Sequence, residues 1–427
     1  MAQQPPVAPI KNVTDDYHGM KSVDPYRYME DFTSPAVQEW VKGQAEFAAA
    51  ALAALSGRDQ LLERIVELDT GTPYTLSGVT RLASGDLFYF KQLAQENVAK
   101  VYRRDGRTGE ERLLIDPESF AKSEPDQHFT ISFYRVSPNG LKLLYGFAAS
   151  GSEQTSLKVF DLATSKDLPD VIDRLESDYA PPSWLPDSQS FVYSRRRLVA
   201  SDSPPTEGYK FTQAFRHAIG GDVESAIPVF AHGAVGSPAM AEMDFPAIIL
   251  SLNSKWAIGQ VKHGDETDIS LYALPHAALG SPDTRWMKLC DREDLVTDFE
   301  VHGDDIYLLT ARDAPRFKVI RTSLFKPDLA AAETIVPAGD YVVNSLAVAK
   351  DALYVGLLDG VPRQILKVSY DRVAKRQRIE LPAEEASASV IAAQPDVAGV
   401  LIRTDSWTRA GSIYHYATES PKLTDSG

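Results

Sequence analysis

A single cysteine, Cys290, stands in a chain of 427 residues. One thiol excludes an intrachain disulfide framework and any cysteine-rich metal centre. No stretch approaches the roughly 18 to 20 consecutive apolar residues that a membrane helix requires, and the first eleven residues lack the apolar core of a secretory leader. No membrane partner is therefore expected. Positive charge is also scarce: 44 Lys plus Arg face 59 Asp plus Glu, a formal net charge of -15. Nucleic-acid binding depends on clustered cations that release counterions from phosphate, so nucleic acid is not an expected partner either. The short basic runs at 195–197 and 375–378 lack interleaved aromatics and read as solvated loops. The expected compartment is the cytoplasm; the start AQQPPVAPIKN equally suits a periplasmic or secreted chain whose leader has been removed.

Catalytic signatures are missing as well. No serine is flanked by the two glycines of Gly-x-Ser-x-Gly, the strained turn that presents the nucleophile of an α/β-hydrolase. Ser152, Ser237 and Ser412 come nearest and read as turn serines, so no catalytic residue is assigned. The eight histidines are dispersed without the i, i+3 or i, i+4 pairing that ligates zinc or iron, so no metal is expected. GDETD and HAIGGD lack the lysine and spacing of a phosphate cradle, and no cofactor is expected. His263, followed by Asp265 and Glu266, is the one local arrangement that suits a general base; its plainer reading is a solvated loop side chain.

What is present divides into two styles. Ser34 followed by Pro35 marks a helix start, and Val37, Trp40, Val41, Phe47, Leu52 and Leu55 recur at helical spacing up to Gly57, which is expected to stop the helix. A second helix places Leu61, Leu62, Ile65, Val66 and Leu68 on one side, which is expected to be its inner side. From about Tyr74 the helical period vanishes. A polar turn, a strand of alternating apolar residues, a loop and a second strand recur, with turns at Ser84, Pro138, Pro186, Asn253, Gly303, Lys350 and Pro395. Their spacing, roughly 45 to 67 residues, suits a four-stranded unit that cannot bury both faces alone and must stack against copies of itself. The expected fold is mainly β: a seven-bladed β-propeller over 73–427, preceded by a helical amino-terminal arm over 1–72. A pair of β-sandwiches is the competing architecture.

Several strings resemble one family in order. DDYHGMKSVDPYRYMED with AVQEWVKGQ, the SPNG…YG…GSE blade around residues 137–153, WLPDSQSFVYSR, FRHAIGGD, VTDFEVHGDDIYLLTARDAPRFKV and TDSWTRAGSIYHY are similar to the amino-terminal region of the prolyl oligopeptidases, serine peptidases of the prolyl endopeptidase family. The resemblance implies an arm that packs on an α/β-hydrolase domain and a propeller that gates entry of short peptides cleaved after proline. It also implies that Ser, Asp and His of the triad follow the propeller. The chain stops at Gly427, so the hydrolase domain is the expected missing partner and the chain is not expected to be catalytic by itself. Tyr179, Phe245 and Lys262 are the residues that the resemblance offers as lining for short proline-containing peptides; Lys262 stands where the family often has arginine, and loses its planar fork. The alternative is a stand-alone propeller that serves as a binding or scaffold module, with the arm folded over its own face.

Overall fold

The computed structural model describes residues 4–427 except 123–126, 150, 151, 153, 201, 361, 362, 372, 383–386, 409, 410, 419–421 and 427. Most of the loop at residues 150–152 lies outside the described residues; Ser152 itself accepts the Gln154 backbone N–H, as a turn serine does. Contacts divide the chain into Met1–Tyr74 and Thr75–Gly427.

The first unit opens with a two-stranded hairpin, Val13–Tyr17 with Met20–Asp24. Its two-residue turn, His18 and Gly19, has positive φ at both positions, the mirror-type turn whose twist matches antiparallel strands. Helix α1 (Pro35–Ala53) begins behind Ser34 with proline in its first turn, as the Ser-Pro pair predicts. It ends four residues before Gly57, however: Gly57 adopts φ +80 and is the N-cap of α2 (Arg58–Thr70) rather than the terminator of α1. Glycine meets no steric penalty in that left-handed conformation. Val37 is buried and the Trp40 indole donates to the Pro6 carbonyl at 3.1 Å. The apolar side of α2 is not an inner side. Leu61, Leu62, Ile65, Val66 and Leu68 are all exposed, at 48 to 62%.

The second unit is built of antiparallel meanders. Sheet I comprises Tyr74–Arg81, Leu87–Leu93, Lys100–Arg104 and Glu111–Ile115. Sheet II has eight strands: Phe129–Val136, Lys142–Ala149, Thr155–Asp161, Lys166–Leu175, Ser183–Trp184, Ser190–Arg195, Gln213–Ala218 and Pro228–Ala231. Sheets III (Asp244–Leu250, Trp256–His263, Ile269–Pro275, Met287–Cys290) and IV (Val296–His302, Asp305–Thr310, Lys318–Ser323, Glu333–Val336) have four strands each. So do sheets V (Val342–Val348, Ala352–Leu358, Arg363–Ser369, Arg376–Arg378) and VI (Ser387–Gln394, Val397–Asp405, Ser412–Tyr416, Leu423–Asp425).

The sequence repeat predicts separate four-stranded units; sheet II instead joins two of them edge to edge. Leu175 pairs with Arg195, and the backbone bonds Glu176 N–H to Ser194 and Arg196 N–H to Arg174 continue the seam. Its halves nevertheless bury a shared core, with Leu157, Ile172 and Leu175 against Trp184, Phe191 and Tyr193. The turn at Ser137–Gly140 shows how each meander is punctuated. The Asn139 carboxamide oxygen accepts from the Ser137 hydroxyl and the Leu141 N–H, while Gly140 takes φ +70. Leu143 and Leu144 follow into the core; Leu141 stays exposed.

Successive sheets bury their faces against one another, which is why the unit has to repeat. Val101 and Phe88 of sheet I share a core with Leu143 and Tyr145 of sheet II. Phe230 and Val192 of sheet II meet Ala257 and Val261 of sheet III. Leu271 of III meets Leu308 of IV, Leu309 of IV meets Val355 of V, and Tyr354 of V meets Ile402 and Tyr416 of VI. Each fully buried Leu, Ile or Val contributes about 1.5–3 kcal/mol relative to exposure. Sheets VI and I are linked by Arg81, which donates to the Ala398 carbonyl at 2.7 Å and to the Gly399 carbonyl at 3.0 Å and lies 2.7 Å from the His415 ring nitrogen. Burial, then the neighbouring Arg81 charge, pulls the His415 pKa below its ordinary value.

Candidate functional site

Tyr179, Phe245 and Lys262 come from separate segments and meet. Asp244–Leu250 and Trp256–His263 pair so that Phe245 faces Lys262 across the ladder. Phe245 is buried, and its ring centroid lies 5.2 Å from that of Tyr179, which the loop after Lys166–Leu175 delivers. The Lys262 ammonium is 5.9 Å from the Tyr179 ring centroid. Among the described residues no carboxylate pairs with Lys262, so an aromatic pair sits beside an uncommitted cation.

Tyr179 is held at three points. Its hydroxyl donates to Asp265 at 2.8 Å, a bond that, ahead of burial, raises the phenol above its ordinary pKa. Its backbone N–H reaches Glu176 at 3.4 Å, and its carbonyl accepts from Gln260 at 3.5 Å. Glu176 is 1% exposed and ion-paired with Arg196 at 2.7 Å, whose guanidinium covers the Tyr209 ring at 4.1 Å. The guanidinium compensates the desolvation of a group so deeply buried.

The neighbouring polar group is one that local sequence spacing does not reveal. His263 does not engage Asp265 or Glu266. Its Nδ1 lies 2.9 Å from Asp244, and its Nε2 lies 2.9 Å from the Ser270 hydroxyl. Asp265 is taken by Tyr179 and Glu266 by Arg292. A carboxylate only accepts, so Nδ1–H donates to Asp244, and the Ser270 hydroxyl is the partner of the second ring nitrogen. The string is Asp–His–Ser, the order of a nucleophilic relay, but Ser270 is 4% exposed. A hydroxyl closed off from solvent cannot meet a substrate carbonyl; here the string orients the strand ends that carry Phe245, Lys262 and Asp265. The signal that finds it is hairpin register, since Asp244 pairs with His263 and Val261 with Ser270.

The remaining candidates stay in structural roles. Ser237 accepts the Ala231 N–H. His217 is buried 2.7 Å from Asp170, which also accepts the Gly220 N–H. Burial pushes the Cys290 thiol up to about 12, far from a reactive thiolate. Among the described residues no group of three or more His, Cys, Asp or Glu is arranged to hold a metal, and no helix is long and apolar enough to cross a membrane.

Residues 5–425 match the family model described as "Prolyl oligopeptidase, N-terminal beta-propeller domain". Among curated proteins the chain is 22% identical over 324 residues to a prolyl endopeptidase of Elizabethkingia meningoseptica, which covers 74% of this chain and 42% of that protein. It is 21% identical over 356 residues to prolyl oligopeptidase A of Amanita bisporigera, covering 74% and 43%. The chain thus spans less than half the length of these relatives. Among solved structures, one from a study of two prolyl endopeptidases superposes with a TM-score of 0.84 at 24% identity, covering 99% of this chain and 59% of that one. Prolyl oligopeptidase B of Galerina marginata, bound to a 35mer substrate, gives 0.81 at 17% identity, covering 98% and 60%.

Proposed function

The chain belongs to the prolyl oligopeptidase N-terminal β-propeller family, and from that membership we propose that it is the substrate-gating part of a serine peptidase that cleaves short peptides after proline. The joined halves of sheet II count as two blades, which with sheets I and III to VI makes seven; the Arg81 bonds between sheets VI and I support a ring of this number. Residues 1–72 form a helical arm, and an α/β-hydrolase domain supplies the Ser-Asp-His triad. The exposed apolar side of α2 supports a partner that covers it.

The observation that carries the reading is the Tyr179, Phe245 and Lys262 cluster. The Tyr179 ring, backed by the buried Phe245, offers an apolar surface for a proline ring or its neighbour, and the lysine offers a cation to a peptide carbonyl or carboxylate. Lacking arginine's fork, that contact is a single-point one. The experiment joins this chain to an α/β-hydrolase domain and measures kcat and KM for a short proline-containing chromogenic peptide. Tyr179→Ala and Lys262→Ala are expected to raise KM with a smaller effect on kcat; an unchanged KM in both overturns the assignment of the cluster.

A further inference from the structure

The other end of the same strand holds a cavity of different character. Phe245 and Leu250 are five residues apart, about 16 Å at the rise of an extended strand. Beyond Leu250, a cavity of about 350 Å³ opens among the first strands of sheets III, IV, V and VI. Ile249, Leu252, Val348, Val390 and Ala392 supply apolar wall, Ser251 and Gln394 the neutral polar side chains, and Glu300 the sole ionisable group in the lining. Its wall is polar and apolar in similar measure, and its size falls within the range of small-molecule sites. None of its residues belongs to the aromatic and lysine cluster.

Glu300 is half-buried, and among the described residues no Lys, Arg or His pairs with it. The ionisable groups around it are Asp298 and His302 on its own strand, Tyr307 opposite it on the second strand of sheet IV, and Tyr370 at the end of the third strand of sheet V. Asp298 repels a charge on Glu300, and the His302 ring is stacked on Tyr370 at 3.6 Å. None supplies a cation to Glu300. A carboxyl group in the wall of a cavity without a counter-ion is an incomplete ion pair, and a ligand that carries a cation on a short apolar stem completes it.

We propose that this cavity is a binding site for a primary alkylammonium group, either a free amine or a lysine side chain, with Glu300 as its counter-ion. The alkyl stem lies against Ile249, Leu252 and Val390, and the ammonium donates to the carboxylate. Burial, then the Asp298 charge, pushes the empty Glu300 up to about 8. At neutral pH the carboxyl is mostly protonated, so taking up the ammonium releases a proton, and affinity rises as pH climbs through about 8.

The test is isothermal titration of the whole chain with n-butylammonium, with Nα-acetyl-lysine N-methylamide and with n-butanol as a neutral isostere, at pH 6.5 and pH 9. Butylammonium is expected to bind more tightly at pH 9 and with proton release, and butanol weakly at both. Binding of butylammonium alone assigns the site to free amines; binding of the lysine derivative as well extends it to side chains. Glu300→Gln, a neutral isostere of the protonated acid and so expected to fold, should weaken the ammonium by about ten- to hundredfold and leave butanol unchanged. Thermal unfolding of the same variant confirms that it is folded. No heat with either amine at pH 9, equal binding of butanol, or an undiminished affinity in a folded Glu300→Gln variant overturns the proposal.

Discussion

Glu176 and Glu300 are both glutamates taken out of bulk water, and they are treated in opposite ways. Glu176 is 1% exposed, is ion-paired with Arg196 at 2.7 Å and anchors the loop that carries Tyr179. Glu300 faces a cavity without a counter-ion, and burial pushes it toward the neutral acid. The lesson is that burial alone does not decide a charge; the partner does. A completed pair builds structure, whereas an uncompleted one leaves a pH dependence.

The largest effect expected from breaking this contrast is at the completed pair. Arg196→Ala strands the Glu176 charge and is predicted to cost about 3–5 kcal/mol in denaturant unfolding at pH 7. Arg196→Ala with Glu176→Gln should recover a large part of that loss, because the stranded charge is gone. A core substitution gives a scale for comparison: Leu308→Ala, between sheets III and IV, is predicted to cost about 2–5 kcal/mol at every pH.

At the uncompleted pair the sign reverses. The Glu300 carboxyl is raised in the folded state, to about 8 from 4.5. Below the unfolded value both states are protonated and nothing is lost; between the two values the unfolded chain gives up its proton first, so stability falls as pH rises and levels off above about 8. Glu300→Gln should therefore stabilise the protein by about 1–3 kcal/mol above pH 8 and change little near pH 4. The smallest effect belongs to the Tyr179 hydroxyl. Tyr179→Phe removes its bond to Asp265 and is predicted to cost about 0.5–1.5 kcal/mol, read as a modest shift in the urea midpoint.

The sequence makes the two helices legible because the Ser34-Pro35 start and the apolar spacing are local. Gly57 is misread because a left-handed glycine serves the end of one helix and the beginning of the next equally well. The meanders are legible at their turns, as at Ser137–Gly140, but the edge-to-edge seam of sheet II is a single long-range pairing, Leu175 with Arg195, with no local mark. At the candidate site Tyr179, Phe245 and Lys262 came from family resemblance; nothing in their own surroundings brings residue 179 to residue 262. His263 was visible, its partners were not, since Asp244 and Ser270 reach it only through strand register. Glu300 carries no local mark either. Asp298, Glu300 and His302 alternate with Phe299 and Val301, a pattern that normally marks a solvent face, yet here the polar side turns toward a cavity and the adjoining sheet.

On the proposed function, this chain gates and lines, and cleavage comes from a domain joined to it. The most direct measurement is hydrolysis of a proline-containing chromogenic peptide by the purified chain alone and by the chain joined to an α/β-hydrolase domain. The account predicts turnover only in the joined protein, abolished by a serine-directed inhibitor. Inhibitor-sensitive turnover by the isolated chain would contradict it.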